Sequence, residues 1–242
     1  MRLKSKNSLA VIIPMYNEEK VGGRCVDEVI KVLKTLSFPA ALIAVNDGSN
    51  DTTEKILNEK KKKYHKFLVV VSYKKNKGYG GAIWEGLKMA EQQHFDWVLH
   101  MDSDLTNDPQ QIKDFAKYIN FNVDCIKASR YINDGKVDNV PVFRQVISVI
   151  GNTLAAIFFN IGIKDCTNGF RMVRVAKLKG LKFKEKNFSI ILEELYYLKK
   201  RGAKFAEMPY VLTARKDTLS HFRYRPKIFF DYFKYAFLSL FA

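Results

Sequence analysis

Asp102 and Asp104 stand one residue apart at the end of an apolar segment, Phe95–Met101. Two carboxylates so spaced, held just past a buried strand, are hard oxygen donors suited to a divalent cation bridging phosphates. An Asp-x-Asp is also an ordinary acidic turn or helix cap, and Asp108-Pro109 begins a helix nearby. Its position favours chemistry, because three other apolar segments end in the same way. They run into Pro14-Met15-Tyr16-Asn17-Glu18, into Asn46-Asp47-Gly48-Ser49, and into Asn76-Lys77-Gly78. Ligands of an open parallel sheet sit outside the carboxyl ends of its strands, so the four turns are expected to converge on one crevice. There Asp47 can accept hydrogen bonds from a base or ribose. The glycine-rich run Lys77-Gly78-Tyr79-Gly80-Gly81 leads into a helix N-terminus, offering N–H groups to an anion or letting the backbone approach a ligand closely. No G-x-G-x-x-G follows the first strand, which disfavours a dinucleotide-binding fold, and the absence of G-x-x-x-x-G-K-[ST] excludes a P-loop. A nucleotide bound here is held by side chains and a metal.

The elements that must position these residues alternate. Strands are expected at Leu9–Ile13, Ala41–Val45, Phe67–Tyr73, Phe95–Met101 and Val123–Ala128. Helices are expected at Val21–Leu36, from the cap region Asn50–Glu54 to Lys60–Lys63, at Ala82–Gln93 and at Pro109–Ile119. Ala82, Gly86 and Ala90 recur every four residues, a narrow face for close packing. The alternation implies an α/β fold with a parallel, doubly wound sheet. The second half is less regular. Val142–Ile163 is long and apolar, but it carries Arg144, Gln145, Asn152 and Asn160, which favours a buried or surface-docked helix over a membrane span. Phe188–Arg201 reads as a helix, Lys204–Val211 as a strand, and Ile228–Phe241 as an aromatic terminal helix.

The 242 residues suffice for one α/β domain, and 47% hydrophobic content excludes a disordered chain. A formal charge of +16 implies an anionic partner: nucleic acid, an acidic membrane face or phosphorylated substrates. Cys25, Cys125 and Cys166 are scattered without a C-x-x-C pattern, which argues against a disulfide framework or a zinc site and for a reducing compartment. Arginines mark the second half, among them Arg130, Arg144, Arg171 and Arg215; their planar forks suit phosphate, although singly each is an ordinary surface charge. The cationic stretch Arg215–Lys227 beside the aromatic terminal helix suits an anionic membrane interface, and equally a helix packed on the core.

The segments VIIPMYNEE, VNDGSNDTT, NKGYGGAIWEGLKMA and MDSDLTNDP, followed by SRY, Arg144 with Ser148, DCTNGFR, Glu193 and EMPYVLTARKDTLSHFR, resemble family-2 glycosyltransferases of the GT-A fold. The resemblance is strongest to the branch that transfers hexoses to polyprenyl phosphates, and it spans residues 9 to 223. It implies a GT-A domain over residues 1–227, a mostly parallel sheet flanked by helices, with an amphipathic interface helix over 228–242. It implies that Pro14, Tyr16, Asn17, Glu18, Asp47, Lys77 and Gly78 bind the nucleotide sugar, a GDP- or UDP-hexose. Asp102 and Asp104 would hold Mg²⁺ or Mn²⁺ on its diphosphate. Arg130, Arg144, Ser148, Arg215 and His221 would meet the acceptor phosphate, with Asp102, Asp104, Arg130 and Arg215 forming the catalytic set. The expected activity is inverting transfer of mannose or glucose to a dolichyl or undecaprenyl phosphate, at the cytoplasmic face of an anionic membrane. The alternatives are a family-2 enzyme acting on a saccharide or protein, and a nucleic-acid or membrane-binding module that uses only the charge. The second leaves the acidic strand exits unexplained, and no nucleic-acid partner is expected. Thr106 and Ser220-His221 depart from the glutamine and the Ser-Lys pair common at those places in the branch.

Overall fold

The computed structural model describes residues 7–137, 142–212 and 226–241. Its framework is a seven-stranded sheet of order β3-β2-β1-β4-β7-β5-β8. The first half contributes β1 (Leu9–Met15), β2 (Ala40–Asp47), β3 (Leu68–Tyr73), β4 (Trp97–His100) and β5 (Cys125–Ser129). The helices between them are α1 (Gly22–Leu33), α2 (Thr53–Lys63), α3 (Gly78–Gln92) and α4 (Gln111–Lys117). A two-residue strand, β6 (Lys136–Val137), follows, then α5 (Val142–Phe159), β7 (Arg171–Arg174), α6 (Val175–Leu178) and α7 (Ile190–Lys200). The chain continues through β8 (Phe205–Pro209), β9 (Val211–Leu212) and α8 (Pro226–Leu238). β6 and β9 pair as a separate ribbon.

β1, β2, β3 and β4 pair in parallel, and β5 pairs in parallel with β8. Strand β1 is buried on both faces, as its unbroken apolar run requires. Leu9, Val11 and Ile13 join a core with α1, α2 and α4, while Ala10 and Ile12 face a second core with α3, α5 and α7. The chain moves outward from β1 to β3 and returns to place β4 on the other side of β1. The crevice of a doubly wound sheet opens at such a reversal. Pairing of β1 with β4 ends at Ile12 and His100, so Pro14, which has no N–H to donate, falls beyond the last rung.

Within the mostly parallel sheet that the resemblance implies, β7 runs antiparallel between β4 and β5, and no strand is expected from the sequence at these residues. Its four residues begin and end in arginine, so neither an alternating nor a continuous apolar pattern marks it. Arg171 is fully buried there because Glu194 of α7 takes its guanidinium at 2.6 and 3.0 Å. A second departure concerns the glycine-rich turn, which is itself the first turn of α3. The small-residue stripe does lie against the sheet: a Cβ on Gly86 would stand 2.4 Å from Ile12 Cγ2.

Candidate active site

The ends of β1 to β4 meet at one edge, and hydrogen bonds lace each to its neighbour. After β3, the Lys77 N–H donates to Asp47 Oδ1 at 2.7 Å. After β2, Ser49 Oγ accepts from the Asn17 N–H at 3.1 Å, and Thr53 Oγ1 accepts from the Glu18 N–H at 2.8 Å. After β4, Ser103 Oγ donates to Glu18 Oε1 at 2.9 Å. Asn17 turns the chain at φ 54°, a left-handed conformation that asparagine tolerates, and its Oδ1 receives the Asn50 N–H. Tyr16 is left exposed beside it. Burial lifts the Asp47 carboxyl above its ordinary range, and the Lys77 N–H partly offsets this.

The acidic turn is shaped by its own side chains. Asn107 Oδ1 accepts from the Asp102 N–H at 3.0 Å, and Asp104 Oδ1 accepts from both the N–H and the hydroxyl of Thr106. Thr106 therefore acts here as a donor that orients Asp104. Below the turn lies Cys25 of α1, whose thiol is pushed up first by burial and then by Asp104, Glu18 and Asp102. All three carboxylates thus lie within electrostatic reach of one thiol. Among the described residues no group of three or more His, Cys, Asp and Glu side chains is arranged for a metal. Asp102 and Asp104 carry hard carboxylate oxygens of the kind that Mg²⁺ or Mn²⁺ accepts.

Tyr210 joins this half to the next. Its hydroxyl accepts from Asn107 Nδ2 at 3.0 Å and donates to the Thr106 carbonyl at 3.1 Å, and its N–H donates to the Ser129 carbonyl at the end of β5. Burial pushes the phenol up; Asn107 and Arg130 oppose the rise, while Asp102 and Asp104 add to it. Arg130 therefore acts on the same phenol as the acidic turn. Its fork closes on Asp165, Nε to Oδ2 at 2.7 Å and Nη2 to Oδ1 at 2.9 Å, with Thr167 Oγ1 at 3.2 Å. Ser148 Oγ of α5 lies 2.8 Å from the Tyr131 hydroxyl. Asn152, one turn further along α5, exchanges hydrogen bonds with Thr167 at 2.9 and 3.0 Å. Asn152 is the polar break that the apolar run of α5 displays in sequence, although no role was assigned to it there.

Two expected contributions take a different form. The Lys77 ammonium lies 2.6 Å from Glu85 and over the Tyr73 ring, so Lys77 serves the site through its backbone. The close approach at Gly78 and Gly80 is made by the protein's own chain: a Cβ there would stand 2.4 and 2.3 Å from the carbonyls of Lys186 and Glu185. The segment that makes this approach is held by Glu193, whose carboxylate accepts the N–H groups of Lys184 and Glu185. Arg144 lies in the first turn of α5, one turn before Ser148, and nothing is described of its side chain. Arg215 and His221 lie outside the described residues.

A sheet of this order, with acidic turns gathered at its reversal, is the GT-A form of the α/β fold. The glycosyl transferase family 2 model matches residues 10–181, and the chain belongs to that family. It is 28% identical over 233 residues to the dolichol-phosphate mannosyltransferase of Pyrococcus furiosus, a match covering 95% of this chain and 62% of that protein. The chain thus spans less than two thirds of that relative's length. It is 29% identical to an uncharacterized protein of Methanocaldococcus jannaschii, over 82% of this chain and 85% of that one. Among solved structures it resembles glucosyl-3-phosphoglycerate synthase from Mycobacterium tuberculosis in complex with Mn²⁺, UDP and glucosyl-3-phosphoglycerate. The TM-score is 0.65 at 20% identity, covering 88% of this chain and 73% of that one.

Proposed function

We propose that the chain is an inverting hexosyltransferase that moves mannose or glucose from a GDP- or UDP-sugar to a polyprenyl phosphate at the surface of an anionic membrane. One observation carries the lipid-phosphate reading. Helix α5 has two faces: Ser148 and Asn152 are bonded to Tyr131 and Thr167 of the site, while Ile150, Leu154 and Ile157 are 49–65% exposed. The polar head and the apolar tail of one acceptor would need that pairing. Helix α8 extends the apolar surface with Phe230, Phe233 and Phe237, and Phe233 packs edge-on against Phe158 of α5. Among the described residues no helix is long and apolar enough to cross a membrane. The exposed apolar flanks of α5 and α8 suit attachment at the interface. Residues 1–227 would form the transferase domain and 228–242 the interface helix. The resemblance to the mannosyltransferase supports the same acceptor class.

In this reading Tyr16, Asn17, Glu18 and Asp47 line the nucleoside end of the crevice, with Pro14, Lys77 and Gly78 shaping it through the backbone. Asp102 and Asp104 would hold Mg²⁺ or Mn²⁺, which when bound neutralises charge on the departing diphosphate. Arg130 and Ser148, with Arg144, Arg215 and His221, would gather the acceptor phosphate. A phosphate monoester has its second pKa at about 6, so it is already mostly dianionic at neutral pH and needs little or no general base. The protein's tasks are alignment and electrostatic stabilisation.

The test pairs donor with acceptor. Melting shifts against UDP- and GDP-sugars with Mn²⁺ identify the donor. Transfer is then measured to a short polyprenyl phosphate, to soluble saccharides and to 3-phosphoglycerate. Transfer to the polyprenyl phosphate is expected; transfer only to a soluble acceptor removes the lipid reading while leaving the family assignment intact.

A further inference from the structure

Lys127, in the middle of β5, is fully buried, and none of the chemistry above uses it. Its ammonium donates to the carbonyls of Cys166, at 3.1 Å, and of Asn168. Its register partner on β7 is Arg171, equally buried, whose Nη1 donates to the Gly169 carbonyl at 2.8 Å. Two cations side by side inside a sheet are costly, and an apolar side chain would fill the position of Lys127 without that penalty. Arg171 is matched by the carboxylate of Glu194, whereas Lys127 is matched to backbone carbonyls.

Those carbonyls belong to the turn that organises the second half of the site. The Asn168 N–H donates to Asp165 Oδ1 at 3.2 Å, and Asp165 grips the Arg130 fork. Thr167, between the two clamped carbonyls, accepts from Arg130 and from Asn152, one helical turn beyond Ser148. We infer that Lys127 is a positioning residue: by clamping the Cys166 and Asn168 carbonyls, its buried ammonium fixes the turn that aims Arg130 and Ser148 at the acceptor phosphate. This rests on the acceptor role proposed above for Arg130 and Ser148.

The ammonium also carries a signature. Burial, then Arg171, push Lys127 down to about 8, against the pull of Asp165. Its register partner on β8 is Glu207, which holds the Asp165 N–H at 2.9 Å. Cys125 and Cys166 are pushed up to about 12 and keep their protons where Lys127 loses its own. Loss of the charge weakens both carbonyl bonds, since charge-assisted hydrogen bonds are roughly twice as strong as neutral ones.

The experiment compares the unaltered protein with Lys127→Met and Arg130→Met, using a short polyprenyl phosphate at saturating donor. Nucleotide affinity (UDP or GDP with Mn²⁺) and melting temperature are read alongside. In Lys127→Met, acceptor kcat/KM is expected to fall roughly 10- to 100-fold, with nucleotide affinity changed by less than about twofold. The unaltered protein is expected to lose activity through about pH 8 and the variant to lack that limb. Lys127→Met activity within about threefold of the unaltered protein overturns the inference, as does an alkaline limb that persists in the variant. Should Lys127→Met fail to fold, a flat acceptor profile in the unaltered protein from about pH 7 to about pH 9.5 overturns it equally. Near-normal turnover by Arg130→Met removes the acceptor reading itself, whereas an inactive Arg130→Met beside an active Lys127→Met removes only the role of Lys127.

Discussion

Asp104 and Lys77 show how differently two residues of one crevice act. The carboxylate of Asp104, oriented by Thr106, is a side-chain contribution. Asp104→Ala is therefore expected to abolish metal-dependent transfer, and retention of near-normal turnover with Mn²⁺ would refute the metal assignment. Lys77 acts through its N–H on Asp47, which any residue but proline supplies. Lys77→Met is expected to change nucleotide affinity by no more than about threefold in titration calorimetry, and a loss of a hundredfold would restore the ammonium to the donor site. The sequence placed Asp47, Glu18, Asp102 and Asp104 at strand exits, which in a parallel sheet share an edge. It did not show where long side chains turn. Lys77 and Arg130 found Glu85 and Asp165, partners 8 and 35 positions away that no local pattern announces.

Buried charge sets the behaviour of whole elements. Arg171 of β7, Glu194 of α7 and His100 of β4 form a buried cluster, with His100 Nε2 3.4 Å from Glu194. Burial would raise the Glu194 carboxyl, but Arg171 and then His100 outweigh it and hold it well below the ordinary range. Its folded pKa lies below the unfolded value of about 4.5, so the stability it contributes is complete above that pH. Stability is expected to decline as pH falls below about 4.5, read as the urea midpoint, and Glu194→Gln should flatten that limb. Arg171→Met leaves Glu194 buried and uncompensated, which is expected to cost about 3–5 kcal/mol in the same measurement. The cluster also explains why β7 was not legible as a strand: its pattern of burial includes a charge, and the neutralising partner lies in another helix. The bounds of α3 were missed for a related reason. Glycines normally weaken a helix, yet Gly78 and Gly80 are required by the 185–187 backbone lying against them.

At the scale of the molecule, the surplus of 41 Lys and Arg over 25 Asp and Glu coexists with an apolar surface shared by α5 and α8. Either alone has ordinary explanations; together they suit an anionic bilayer, where charge brings the protein in and aromatic rings hold it. Replacing Ile150, Phe233 and Phe237 together by Ser is expected to weaken binding to phosphatidylserine vesicles at least tenfold in a flotation assay, about 1.4 kcal/mol, without lowering nucleotide affinity. Undiminished vesicle binding would send the attachment surface elsewhere. The sequence marked the aromatic character of α8, but α5 read as one long apolar run, and only its packing shows which flank is covered.

The reversed direction of β7 has a further consequence. Because it runs against its neighbours, the stretch leading into it, Asp165 to Phe170, enters at the same rim where the other strands leave. In the proposed reading the nucleotide's surroundings would come from the first 110 residues and the recipient's from a later loop and helix, with Tyr210 bonded to both parts. Under that reading the two specificities would lie on separate stretches of chain, so that one could be altered by substitution while the other is left in place.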